Sequence, residues 1–155
     1  MHFFSMKAIN TSIFIILFSC LAFGGSGTAV LTCTSESGRT KFIAHLQDIV
    51  GLLESATFTI DNASIQFSSD ESIYTIFDPK NGVFTIYIEG KTNSTYPNHK
   101  YIQFWAIPST FKTIKNDRIH QIYEFKAKIY GTEPRPDKEM HCPEIELNCK
   151  LEYKI

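Results

Sequence analysis

"IELNCKLEYKI", Ile145 to Ile155, is the stretch whose reading decides the fold. Ile145, Leu147, Cys149, Leu151 and Tyr153 alternate without a break with Glu146, Asn148, Lys150, Glu152 and Lys154. A β-strand sends successive side chains to opposite faces, so this spacing buries the apolar set, cysteine included, and leaves the charged set in water. The same period returns upstream. In "HQIYEFKAKIY" (120–130), Tyr123, Phe125, Ala127 and Ile129 face inward, while Glu124, Lys126, Lys128 and Tyr130 face outward. Further strands are predicted over 56–60, 64–68, 72–78, 83–90, 100–107 and 110–114. Turn chemistry such as "DNAS", "PKNG" or Pro108 ends them. Strand spacing and the β-branched and aromatic content predict an all-β domain, an antiparallel meander forming a small barrel or sandwich. One segment departs. In "KFIAHLQDIVGLLES", Phe42, Leu46, Ile49 and Leu53 sit at helical spacing, so a strand over 40–46 is expected to run into a short helix near 47–54. No other helix is expected.

The N-terminal region has a different grammar. Ile13 to Phe23, "IFIILFSCLAF", is an unbroken apolar run with Lys7 before it and "GGSGTA" after it. A basic start, a short apolar run and small residues make a secretory signal peptide. The expectation is a signal segment within 1–29, cleaved between about 20 and 29, followed by a single β domain over 30–155. "LFSC" at Leu17 to Cys20 supports a second reading, a lipid anchor on Cys20 of an envelope-tethered structural or adhesion component. The run falls short of the roughly 20 residues a membrane-spanning helix needs, so no membrane span is expected. The localisation implied is secreted or periplasmic. Fifteen basic residues face sixteen acidic ones, a formal net charge of −1, and no basic stripe appears. Nucleic acid is therefore not an expected partner.

Export into an oxidising compartment makes disulfides stable. Cys149 points inward, and in "AVLTCTS" Leu31 and Cys33 share a face, so Cys33 is expected to point inward too. Cys142 precedes Pro143 in the polar stretch "PRPDKEMHCP", which reads as a loop. If the chain from 144 onward is extended, Cys142 and Cys149 lie about 20 Å apart at roughly 3.3 Å per residue. A disulfide needs Cα atoms within about 7 Å. The predicted bridge is Cys33–Cys149, with Cys142 left as a thiol or as a partner for another chain.

No nucleophile elbow, P-loop, dinucleotide-binding glycine pattern or HExxH motif occurs in the chain. His45, His99, His120 and His141 are scattered, and His141 beside Cys142 has no second pair at zinc-site spacing. No catalytic residue, metal or cofactor is predicted, and the chain is read as a non-enzyme; the rival reading is a hydrolase whose site residues are dispersed in sequence. Asn62 and Asn93 stand in glycosylation sequons, both in predicted loops. In overall plan, an exported small β domain with a core disulfide resembles several bacterial periplasmic modules, including the c-type lysozyme inhibitor barrels. Their inhibitory motif is absent, so no function is carried over from them.

The expected function is an exported binding or inhibitor module for an extracytoplasmic protein or glycan. Its site follows from strand pairing. Strands 83–90 and 100–107 are consecutive, so they pair antiparallel by default, with Tyr87 opposite Gln103. Phe84, Ile86 and Ile88 face the core, as do Ile102, Phe104 and Ala106. Tyr87, Tyr101 and Trp105 then surround Gln103 on the outer face, a set suited to stacking on a sugar ring or a partner side chain. The competing reading folds 47–54 over this face through Ile49, Leu52 and Leu53, making it a second small core.

Overall fold

The computed structural model describes residues 27–49, 52–91, 100–135, 137–138 and 140–155. The apolar run with Cys20, the sequon at Asn93 and His99 lie outside the described residues. Ten strands follow in order: β1 (Thr28–Thr34), β2 (Thr40–Leu46), β3 (Leu53–Ile60), β4 (Ala63–Ser68), β5 (Ser72–Asp78), β6 (Val83–Gly90), β7 (Lys100–Ala106), β8 (Lys112–Asn116), β9 (His120–Thr132) and β10 (His141–Lys154). The sole helical element among the described residues is a 3₁₀ turn at Pro108–Thr110.

All ten strands belong to one antiparallel sheet. Its path runs β4-β3-β2-β1-β10-β9-β7-β6-β5, with β8 paired to β9 beside that path. The sheet curls into a half-barrel around a single apolar core. Phe42 of β2 meets Phe104 of β7 with ring centroids 5.6 Å apart, so strands four places apart in the path face each other across the interior. Each strand contributes its alternate residues. Leu31 and Cys33, Phe84, Ile86 and Ile88, Ile102 and Phe104, and Leu147 and Leu151 are buried, as period-two patterning requires.

The centre of the sheet is the ladder between β1 and β10, in register from Thr28↔Lys154 to Thr34↔Asn148. Cys33 lies directly opposite Cys149, and the two form a disulfide with Cα atoms 4.1 Å apart. Cys142 is not in a loop. It sits on β10 opposite Gly131 and is 1% exposed, because that strand starts at His141 rather than near 144. A register shift between Cys142 and Ile145 absorbs Pro143, which cannot donate to the ladder.

Two other expectations need correction. The short helix near 47–54 is absent among the described residues. Residues 47–49 form a bend and turn, Gln47 N–H donates to the Leu52 carbonyl at 3.0 Å, and Leu53 already starts β3. Ile49 and Leu53 go into the main core while Leu52 is 65% exposed. The four apolar residues at helical spacing, Phe42, Leu46, Ile49 and Leu53, are all buried in one core by two strands and the reversal between them, without a helix. The strand expected over 110–114 is shifted to Lys112–Asn116. Pro108 opens the 3₁₀ turn, and the Thr110 hydroxyl bonds the Ile107 carbonyl at 2.7 Å and the Lys126 N–H at 2.8 Å. Thr110 is therefore held in the turn.

The half-barrel is drawn together at one end by a buried cation. Lys100, the first residue of β7, places Nζ 2.9 Å from Glu71 Oε1, 3.0 Å from the Gln66 carbonyl of β4, and 4.8 Å from the centroid of the Phe67 ring. The Lys100 and Glu71 side chains are only 7% and 5% exposed. Glu71 also accepts the Lys91 N–H at 2.5 Å. Gly90 makes room for this cluster. A Cβ there would collide with the Lys100 side chain and lie 2.7 Å from Glu71 Oε2.

Candidate functional site

The outer face of β5, β6, β7 and β9 carries an aromatic band, and strand register builds it. Tyr74 pairs with Tyr87, Tyr87 with Gln103, and Gln103 with Tyr130, so four residues form one row across four strands. On one side lies Glu89–Tyr101, continued by Thr132 and His141. On the other side lie Ile76, Thr85, Trp105 and Lys128 in a second row. With strands about 4.8 Å apart, the central row spans about 14 Å.

The residues named from sequence all stand on this face. Gln103 is exposed, and Tyr87, Tyr101 and Trp105 are half-buried, their inner neighbours on each strand being core residues. The pairing of Tyr87 with Gln103 is the one expected. Sequence reasoning left out Tyr74, Ile76, Tyr130 and His141. Tyr74 and Ile76 are 62% and 44% exposed. Alternation in "SIYTIFD" already turns Tyr74 outward, and the same period turns Tyr130 outward. What was missing is the strand order, because β9 divides its length between β8 and β7.

The rings form a connected set. Tyr101 lies 6.3 Å from Tyr87, 6.0 Å from Tyr130 and 5.6 Å from His141, centroid to centroid. Tyr130 is 6.0 Å from His141. These spacings fall in the range where aromatic pairs attract beyond simple burial. The Tyr101 hydroxyl is 3.4 Å from His141 Nδ1. Burial, followed by its hydrogen bond with Tyr130, pushes the Tyr101 phenol well above its ordinary value. Burial and the nearby Glu89 carboxylate push Tyr87 up as well. Both therefore stay neutral phenols across physiological pH, able to donate and accept.

The described part of the 47–54 segment makes no second core over this face, since Ile49 and Leu53 are in the main core and Leu52 stands in solvent. Elsewhere on the outer surface, a shallow groove of about 620 Å³ is lined by Thr32, Thr110, Lys112, Glu124, Lys126 and Lys150 among others. No histidine appears among its described lining residues. His120 instead pairs with Glu152 at 3.0 Å, and Lys154 first, then Lys150, hold the same carboxylate and bring its pKa down to about 2. Among the described residues no group of three His, Cys, Asp or Glu side chains has the arrangement of a metal site. No described helix is long and apolar enough to cross a membrane. No family model matches the chain, and neither a curated protein nor a solved structure does.

Proposed function

We propose that this chain is an exported, non-catalytic binding module that takes a glycan on the outer face of β5, β6, β7 and β9. The observation that carries the reading is the row Tyr74–Tyr87–Gln103–Tyr130 with Tyr101 and Trp105 on either side. Aromatic faces give a sugar ring a large stacking area at small entropic cost, and the exposed Gln103 amide supplies direction through hydrogen bonds. The platform is the open outer face of a curled sheet rather than a cleft, which suits an extended chain more than a small molecule. A reading without catalysis rests on the absence of catalytic motifs in the sequence and on this shape. Secretion or periplasmic residence is supported by the charge–apolar–small arrangement before β1 and by the Cys33–Cys149 bond, which an oxidising compartment maintains. Cleavage after Gly24 would leave β1 whole. Lipidation of Cys20 is the alternative that makes the module envelope-tethered.

Trp105 is the one tryptophan of the chain, so its fluorescence reports on the site directly. Titration with chitin-, cellulose- and peptidoglycan-derived oligosaccharides should shift its emission for at least one class. Tyr101→Ala should abolish that shift while circular dichroism stays unchanged. Emission unmoved by every glycan, together with a shift on adding a protein fraction from the cell envelope, would reassign the ligand to a protein. Shielding of Trp105 from acrylamide would remove the site altogether. Intact mass of exported material reads cleavage and lipidation in the same sample.

A further inference from the structure

Among the described residues the sheet path ends in two strands with no outer neighbour, β4 and β5, and their chemistry differs. On β4 the outward residues Ser64, Gln66 and Ser68 are polar, the inward Ile65 and Phe67 are buried, and Lys100 occupies the Gln66 carbonyl. β8, which pairs only with β9, carries Lys112 and Lys115. Polar faces and lysines are how edge strands avoid adding another strand. β5 has no such protection. Ser72–Asp78 contains no lysine, proline or glycine. Tyr74 and Ile76 are exposed on its outer face, and Ile73 and Phe77 on its inner face are only partly covered. A strand laid beside β5 would cover all four.

We propose that the strand is β5 of a second copy, paired antiparallel about Thr75. The stretch is self-complementary about that residue. Tyr74 meets Ile76 of the second copy, Ile73 meets Phe77, and Thr75 meets itself, all favourable cross-strand pairs. The two aromatic platforms lie on the same outer face, so pairing joins them edge to edge. The dimer does not depend on the ligand proposed above, and it stands or falls on its own test. A single seven-residue ladder is a small interface, so the association is weak and concentration-dependent.

Cysteine trapping reads such a pair. Residues directly opposite in an antiparallel ladder have Cα atoms about 4.5 to 5.5 Å apart, within disulfide reach. Thr75→Cys should give a cross-linked dimer under mild oxidation. Lys80→Cys should not, because it lies in the turn beyond β5 and its counterpart at the far end of the ladder would be well beyond disulfide reach. Cys142 is buried and stays out of the reaction. In sedimentation, the mean mass of the wild-type chain should rise with concentration, and Ile76→Lys should remove that rise while keeping the native circular dichroism. If Thr75→Cys does not fold, the sedimentation pair still decides. A monomer at every concentration, equal cross-linking of both cysteine variants, or a Thr75→Cys adduct with a different protein in place of a second copy would overturn the proposal.

Discussion

The centre of the sheet and the seam of the half-barrel hold strands together by opposite means. At the centre, β1 and β10 share a full ladder, apolar inward side chains and a covalent bond. At the seam, β4 and β5 are the two ends of the path, joined to each other only by residues 69–71, and Lys100 of β7 is tied to that connection by a buried charge pair with Glu71. Hydrophobic burial is non-directional: it compacts the chain without choosing which strand meets which. The ladder makes that choice at the centre. Where the ladder stops, a short connection joins β4 to β5, and directional bonds from one ammonium to a carboxylate and a main-chain carbonyl fix β7 against it. A buried pair of this kind adds little net stability compared with apolar packing, but removing one partner leaves an uncompensated charge.

The largest expected effect falls on the centre. Cys33→Ala removes a cross-link between residues 116 apart in sequence. It should lower the free energy of unfolding by about 4 to 5 kcal/mol, measured in urea. A loss below about 2 kcal/mol would mean the ladder alone holds the centre and would erase the contrast. Next comes the seam. Lys100→Met strands the Glu71 carboxylate in an apolar setting and should cost about 3 kcal/mol. Adding Glu71→Leu should restore most of it. Two single substitutions that simply add would show the residues acting separately.

A third, smaller effect lies at the start of β10. Burial pushes the Cys142 thiol up to about 11 from an ordinary 9.0. The unfolded chain then gives up this proton at lower pH than the native one, so stability is lost as pH rises from about 9 to 11. Comparing the melting temperatures of the wild type and Cys142→Ala across that range isolates the contribution, and parallel curves would exclude it. The smallest effect is expected at the surface, where Arg39 pairs with Asp61 at 2.6 Å in solvent. Arg39→Ala should cost less than about 1 kcal/mol and lose that cost in high salt.

What was legible in the sequence was whatever alternation alone decides. β2, β5 and β6 run over the predicted residues, and the inward faces of β9 and β10 are those predicted. The disulfide followed because two inward cysteines on extended strands leave only one pairing within reach. The seam was not legible. Lys100 and Glu71 lie 29 residues apart, and nothing in the period of either strand marks a lysine as buried. Gly90 ends a strand, as its sequence suggested, but it also leaves a gap for that lysine. The aromatic site was read in part for a related reason. Tyr87, Tyr101, Gln103 and Trp105 follow from one hairpin, whereas Tyr74, Tyr130 and His141 join only once the order of five strands is known.

The ladder between β1 and β10 also sets a timetable. During synthesis β1 emerges first, and the partner that completes the centre of the sheet follows 116 residues later at the cysteine pair. Until then β2, β3 and β4 can add to one side of β1 while its other edge stays open, a long-range closure that makes folding slow. Cys142 leaves the ribosome shortly before Cys149. In a chain oxidised too early those two can meet first, because a short loop closes at less entropic cost than a long one. The finished sheet withdraws Cys142 from that competition by burying it. The protein is thus committed to its native bond only once β10 has found β1, and a chain stopped before His141 has no route to it.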